Sequence, residues 1–136
     1  MSEGKVLAAV GAGGTVGSLG RWLVALAAGG AVWGTLLVNV TGAVALGLLV
    51  ARLDVGDHHP LLRPFLAVGL LGGWTTYSTF ALDAHALGGE GPLPFVTYLA
   101  ATLVLGSLGA LAGLLLGERL WPSPDGTAPT VAREEL

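Results

Sequence analysis

Gly72-Gly73-Trp74-Thr75-Thr76-Tyr77-Ser78-Thr79-Phe80 sits in the middle of a stretch otherwise apolar enough to cross a membrane. Its two adjacent glycines are followed by four aliphatic hydroxyl side chains within five residues. Gly and Thr both disfavour helix interiors, so the sequence predicts a helix interrupted at bilayer depth. Irregular backbone at that depth persists only where protein or a polar cavity satisfies the freed N–H and C=O groups. A break there therefore points to a site for an ion or a small solute.

The flanking sequence supports a membrane setting. Of 136 residues, 53% are apolar and 11% charged, with a mean hydropathy of +0.76. Soluble domains carry roughly a quarter charged residues, so the composition indicates an integral membrane protein. Its 23 glycines fit that class, because small residues let helices approach closely in lipid. The net charge of −3 arises mostly at the termini and in one loop, and no Lys/Arg cluster suggests nucleic acid or a polybasic lipid patch. The absence of cysteine removes disulfide, thiol and Cys-metal chemistry. Lys5, the apolar run after it and Ala25-Leu26-Ala27 superficially resemble a signal peptide. Arg21 and the long glycine-rich run from Gly11 to Gly20 argue that this segment is retained as a helix.

A span needs about 20 mainly apolar residues. Four windows qualify, at about 6–28, 31–51, 62–87 and 94–116, giving one all-α four-helix transmembrane unit over 1–120 and a disordered tail over 121–136. Gly29-Gly30 predicts a tight turn that makes the first two spans a hairpin, and Gly88-Gly89-Glu90-Gly91-Pro92 predicts a turn before the fourth. Gly13 and Gly17 on the first span, and Gly109, Gly113 and Gly117 on the fourth, form small-residue faces for packing within the chain or between copies.

Polar groups inside a span are costly and mark function by default. Asn39, Tyr77, Ser78, Thr79, Tyr98 and Thr102 all supply hydrogen-bond donors, while no Asp, Glu, Lys or His occupies the central part of any span. Proton coupling calls for a titratable group there, and a cation pore for carboxylates or carbonyl rings. Neutral donors suit an anion, and the positive edge of an aromatic ring can add to them. Each polar residue also has a plainer role: Asn39 as interhelical glue, lone Ser and Thr bonded to their own i−4 carbonyls, and Arg21 snorkelling to the interface. Asp83 and His85 are expected near the membrane surface. His58-His59 reads as a solvated loop pair without a third metal ligand.

The nine-residue stretch resembles the signature G-G-x-T-T-F-S-T-F of the Fluc (CrcB-type) fluoride channels. Gly13-Gly14-Thr15-Val16-Gly17 with Arg21-Trp22 resembles that family's first-helix motif, and Gly34 to Gly42, centred on Asn39, its second-helix motif. The resemblance implies four transmembrane helices with the third broken in mid-membrane, assembled as an antiparallel, double-barrelled dimer in the cell membrane of a prokaryote. It implies passive export of fluoride with no enzymatic step. It also implies a structural sodium ion held by the Gly72 and Thr75 carbonyls of both subunits. The pore phenylalanines fall on Tyr77 and Phe80, the pore asparagine on Asn39 and the hydroxyl track on Ser78, Thr79, Tyr98 and Thr102, with Arg21 and Asp83 at the pore mouths. Tyr77 departs from the signature by adding a hydroxyl, and Asp83 stands where Glu is common. A non-conducting accessory subunit and a small coupled exporter are the competing readings.

Antiparallel pairing of identical chains requires a near-balanced Lys/Arg distribution between loops. With four spans, Lys5, Arg52, Arg63, Arg119 and Arg133 lie on one side and only Arg21 on the other. The imbalance raises pairing with a second, oppositely oriented family member as the alternative to a homodimer.

Overall fold

The computed structural model describes residues 2–55 and 57–122, and the predicted tail from Ser123 onward lies outside them. These residues form helices and no strand. Helix α1 spans Glu3–Ala27 and α2 spans Val32–Leu53. A π-helical segment, Pro64–Leu71, runs into one α-turn, α3, at Gly72–Trp74, followed by α4 at Tyr77–Glu90 and α5 at Pro92–Leu120.

Three stretches are long and apolar enough to cross a membrane: Val32–Leu53, Pro64–Glu90 and Pro92–Leu120. The fourth expected span, α1, has 25 residues and thus the length. Its six glycines, Thr15, Ser18 and Arg21 dilute its apolar content. The predicted turn at Gly88 to Pro92 is corrected: α4 continues through Gly88 and Gly89, and Gly91 alone, at φ 138°, joins α4 to α5. Glycine interrupts a helix less readily among apolar neighbours than in water, and only the position needing positive φ turns the chain. At the other reversal Gly29 and Gly30 do adopt φ of 61° and 74°.

The expected hairpin pair is also corrected. Helices α1 and α2 follow each other through that turn but touch little; α1 packs on Pro64–Trp74 and α2 on α5. Glycine placement explains the choice of partners. A Cβ at Gly13 or Gly17 would enter the Phe65 or Leu70 carbonyl, and one at Gly73 would meet the Gly14 carbonyl. On the second pair, a Cβ at Gly113 would enter the Val44 carbonyl and one at Gly47 the Ala110 carbonyl, while Gly117 faces Ala51. Both small-residue faces therefore serve close packing inside the chain, which in lipid replaces the hydrophobic driving force. Gly113→Val is expected to force α5 from α2 and destabilise the protein by about 1–3 kcal/mol or more. Gly106→Ala, in open space, should leave the thermal transition in detergent unchanged.

Leu36, Ala84 and Tyr98 form a buried cluster where α2, α4 and α5 meet, with Val40, Phe80 and Phe95 packed around it. Elsewhere large apolar side chains point outward, including Leu103, Leu82 and Trp33 at 67–69% exposure. An outward apolar surface this extensive is that of a protein solvated by lipid.

Candidate functional site

The interruption falls where the glycine-hydroxyl pattern places it. Thr75 (φ −78°, ψ 160°) and Thr76 (φ −148°, ψ 121°) are extended between α3 and α4. Extended residues release backbone groups from the helical ladder, and each must find another partner. Asn39 of α2 supplies one on each side. Its Oδ1 accepts from the Thr76 N–H at 2.9 Å and its Nδ2 donates to the Thr76 carbonyl at 3.1 Å. The side chain thus acts as a local strand across a gap of 37 residues. One Nδ2 proton and further Oδ1 acceptor capacity remain, so holding the break does not exhaust Asn39.

Thr76 then starts α4. Its Oγ1 accepts from the Thr79 N–H at 3.2 Å, an N-cap, and donates to Thr79 Oγ1 at 3.0 Å. A hydroxyl has one proton, so the contact of 3.3 Å with Ser78 Oγ is one in which Ser78 donates. The Ser78 proton is spent inside the hub, and that of Thr79 remains free to point outward.

Arg21 is corrected. Instead of snorkelling, it crosses from α1 and donates from Nη1 to the Thr75 carbonyl at 3.0 Å. Trp74 braces the same place, its Nε1 donating to Thr41 Oγ1 at 3.0 Å while its ring covers Gly20. A cleft of about 230 Å³ opens beside the break. Its polar lining consists of Arg21 and the hydroxyls of Ser18, Thr35, Thr76 and Thr79, without a carboxylate.

The predicted aromatic residues converge nearby. Tyr77 and Phe80 have ring centroids 5.9 Å apart, and Phe80 and Tyr98 lie 5.5 Å apart, both tilted. Tyr77 is 81% exposed whereas Tyr98 is 5% exposed, so the row runs from the open flank into the core. It ends on Asp83, whose Oδ2 accepts from the Tyr98 hydroxyl at 3.2 Å. Asp83 is therefore half-buried and paired, not a free surface charge. Thr102, one turn beyond Tyr98, keeps a buried Oγ1 with no partner among the described residues. In contrast, Thr15 and Thr41 bond to their i−4 carbonyls, which sharpens the contrast with Thr102. The hydroxyl track is thus divided: Ser78 and Thr79 belong to the hub at the break, whereas Tyr98 packs against the Phe80 ring and Thr102 lies one turn beyond it on α5.

Among residues the sequence reading did not assign to the site, Thr35 is buried and lines the cleft. Its one-turn spacing from Asn39 was the available signal. Ser18 and the capping role of Thr76 carried no signal separable from ordinary helix composition.

The family model described as CrcB-like protein, Camphor Resistance (CrcB), matches residues 8–114, most of the chain and every residue of the break. The chain belongs to the CrcB family. Similar family members include "Fluoride-specific ion channel FluC 2" of Nocardia farcinica, 42% identical over 118 residues, covering 82% of this chain and 81% of the relative. "Fluoride-specific ion channel FluC" of Agrobacterium fabrum is 41% identical over 125 residues, covering 85% and 98%. The protein of the same name from Rhizobium meliloti is 45% identical over 115 residues, covering 79% and 91%. Within this CrcB-family chain, the matched region contains α2, the break, α4 and nearly all of α1 and α5.

Proposed function

We propose that this chain is a subunit of a passive, fluoride-selective channel, not an enzyme, in the bacterial cell membrane. The observation that carries the reading is the cleft beside the break, where the polar lining is Arg21 and neutral hydroxyls with no carboxylate. A small anion sheds water only if N–H and O–H groups replace it, and Arg21, the free Thr79 hydroxyl and the N-terminus of α4 provide them without a competing carboxylate. The Tyr77–Phe80–Tyr98 row continues from this region with ring edges that carry positive charge. The names of the family members add the identity of the anion. The motion of the ion is downhill: an inside-negative potential expels an anion at about 2.3 kcal/mol per charge per 100 mV.

Assembly and depth belong to the same proposal. The four helical spans, α1 included, set the break near mid-membrane, and an antiparallel dimer supplies the second wall that the exposed Tyr77 lacks. The sodium site implied by the motif fits the donor set. Thr76 N–H, the usual helical donor to the Gly72 carbonyl, goes to Asn39 instead, and Gly72 is exposed. Gly72 and Thr75 would hold the ion through hard carbonyl oxygens, which suit a hard cation. One chain offers only these two, so a second copy must complete the shell. Thr75 already receives Arg21, which leaves its other lone pair for the ion.

Expression in a bacterium stripped of its own family members tests the reading. Growth in millimolar-range fluoride should be restored by this chain alone; no protection supports the accessory-subunit reading instead. The orientation is tested separately, because the chain has no native cysteine. Asp57→Cys, at an exposed loop position, should be labelled by an impermeant reagent in about half of the molecules if both orientations are inserted. Uniform labelling or uniform protection assigns the chain to a heterodimer.

A further inference from the structure

Far from the break, the end of α2, the loop after it and the end of α5 meet around one imidazole. Arg52 Nη1 donates to the Val55 carbonyl at 3.2 Å and stands 2.9 Å from His58 Nε2. The same His58 nitrogen stands 2.9 Å from the carbonyl oxygen of Arg52. The Arg52 guanidinium lies over the ring of Trp121, the first residue after α5, at 5.7 Å from its centre. One ring nitrogen cannot satisfy both neighbours at once. Without a proton it accepts from the guanidinium; with one it donates to the carbonyl and turns that proton away from a group that can only donate.

We propose that His58 is a proton-operated latch between the end of α2 and the end of α5. In the closed state the neutral ring carries its proton on Nδ1, and the bare Nε2 holds the Arg52 guanidinium, which in turn covers Trp121 through a cation–π contact. Protonation of the ring commits Nε2–H to the Arg52 carbonyl and sets an imidazolium against a guanidinium at hydrogen-bond distance. The guanidinium swings off, and Trp121 loses its cover. Acidification that protonates the ring therefore opens the latch.

Further charged groups surround this contact. On α2 they are Arg52 and Asp54; in the loop, Asp57, His59 and Arg63, of which Asp57, His59 and Arg63 share a pocket of about 300 Å³ with His58. The last turn of α5 contributes Glu118 and Arg119. Of these groups, Arg52 stands at hydrogen-bond distance from the imidazole, at 2.9 Å.

The test uses the full-length protein in lipid nanodiscs with 15N-labelled tryptophan and histidine. The four indole N–H signals include that of Trp121, assigned as the one missing from Trp121→Phe. In the wild-type chain the Trp121 signal should shift in a single step as the pH is lowered, with the midpoint of the His58 ring nitrogens, while those of Trp22, Trp33 and Trp74 stay in place. His58→Gln, which cannot titrate, should flatten the step, and His59→Gln should retain it. A flat Trp121 signal in the wild type overturns the latch, as do a step that survives His58→Gln and a shift shared by all four indoles. The wild-type comparison of Trp121 with His58 decides the matter even if a variant fails to fold.

Discussion

Phe80→Ile is expected to lower fluoride flux by on the order of tenfold or more while the helices stay assembled. Phe80 is the middle ring of the row, in contact with Tyr77 on one side and Tyr98 on the other. Aromatic contacts contribute about 0.5–1.5 kcal/mol each beyond burial, and isoleucine has neither the planar partner nor the positive edge that an anion meets. Its apolar bulk still fills the space beside Leu36 and Ala84, so the thermal transition should fall by only a few degrees. Tyr77→Phe restores the residue usual in the signature and keeps the ring, so flux should persist. Wild-type flux in Phe80→Ile would remove the aromatic row from the pathway, as would collapse of flux in Tyr77→Phe.

The second large effect is expected at Asn39. Asn39→Leu leaves the Thr76 N–H without a partner and takes one bond from its C=O, in a residue only 7% exposed. An orphaned buried group costs about 1–3 kcal/mol, and the Thr76 N–H is one, while its carbonyl, at the N-cap of α4, loses the Asn39 bond as well. Folded yield and thermal stability should therefore fall sharply, and flux should be lost with them. Asn39→Asp separates structure from conduction. A carboxylate can still accept from the Thr76 N–H, so much of the break survives, but it places a negative charge beside the hydroxyls that are to receive an anion. A folded, non-conducting Asn39→Asp channel is the expected result. Undiminished flux in Asn39→Asp, or an unchanged melting point in Asn39→Leu, would contradict the double role given to this side chain.

The break itself was legible because it rests on local chemistry: Gly72-Gly73 and the following hydroxyls weaken a helix whatever surrounds them. The aromatic pair and Asn39 were legible as polar or ring-bearing residues in apolar helices. What the sequence could not convey were partners set by tertiary geometry. Arg21 sits near the end of its helix, where snorkelling is the ordinary expectation, yet it donates to Thr75, 54 positions away. His58 looked like a solvated loop residue because nothing local announces that Arg52 and Trp121 converge on it. The π-helical Pro64–Leu71 has no sequence signal at all, being an unbroken apolar run after an N-terminal proline. Its backbone lies against Gly13 and Gly17 so closely that neither tolerates a Cβ. The misread turn at Gly88 to Pro92 arose from applying the helix-breaking cost of glycine in water to a helix that lipid supports.

The central claim is that this chain alone forms a passive path for fluoride. Purified protein in liposomes loaded with potassium fluoride, diluted into fluoride-free medium and followed with a fluoride electrode, tests it most directly. The account predicts rapid fluoride release only after a potassium ionophore provides charge compensation, and no comparable release of chloride from matched liposomes. Release that needs a proton gradient in place of the ionophore would indicate a coupled exporter, and absence of release from folded, dimeric protein would contradict the account altogether.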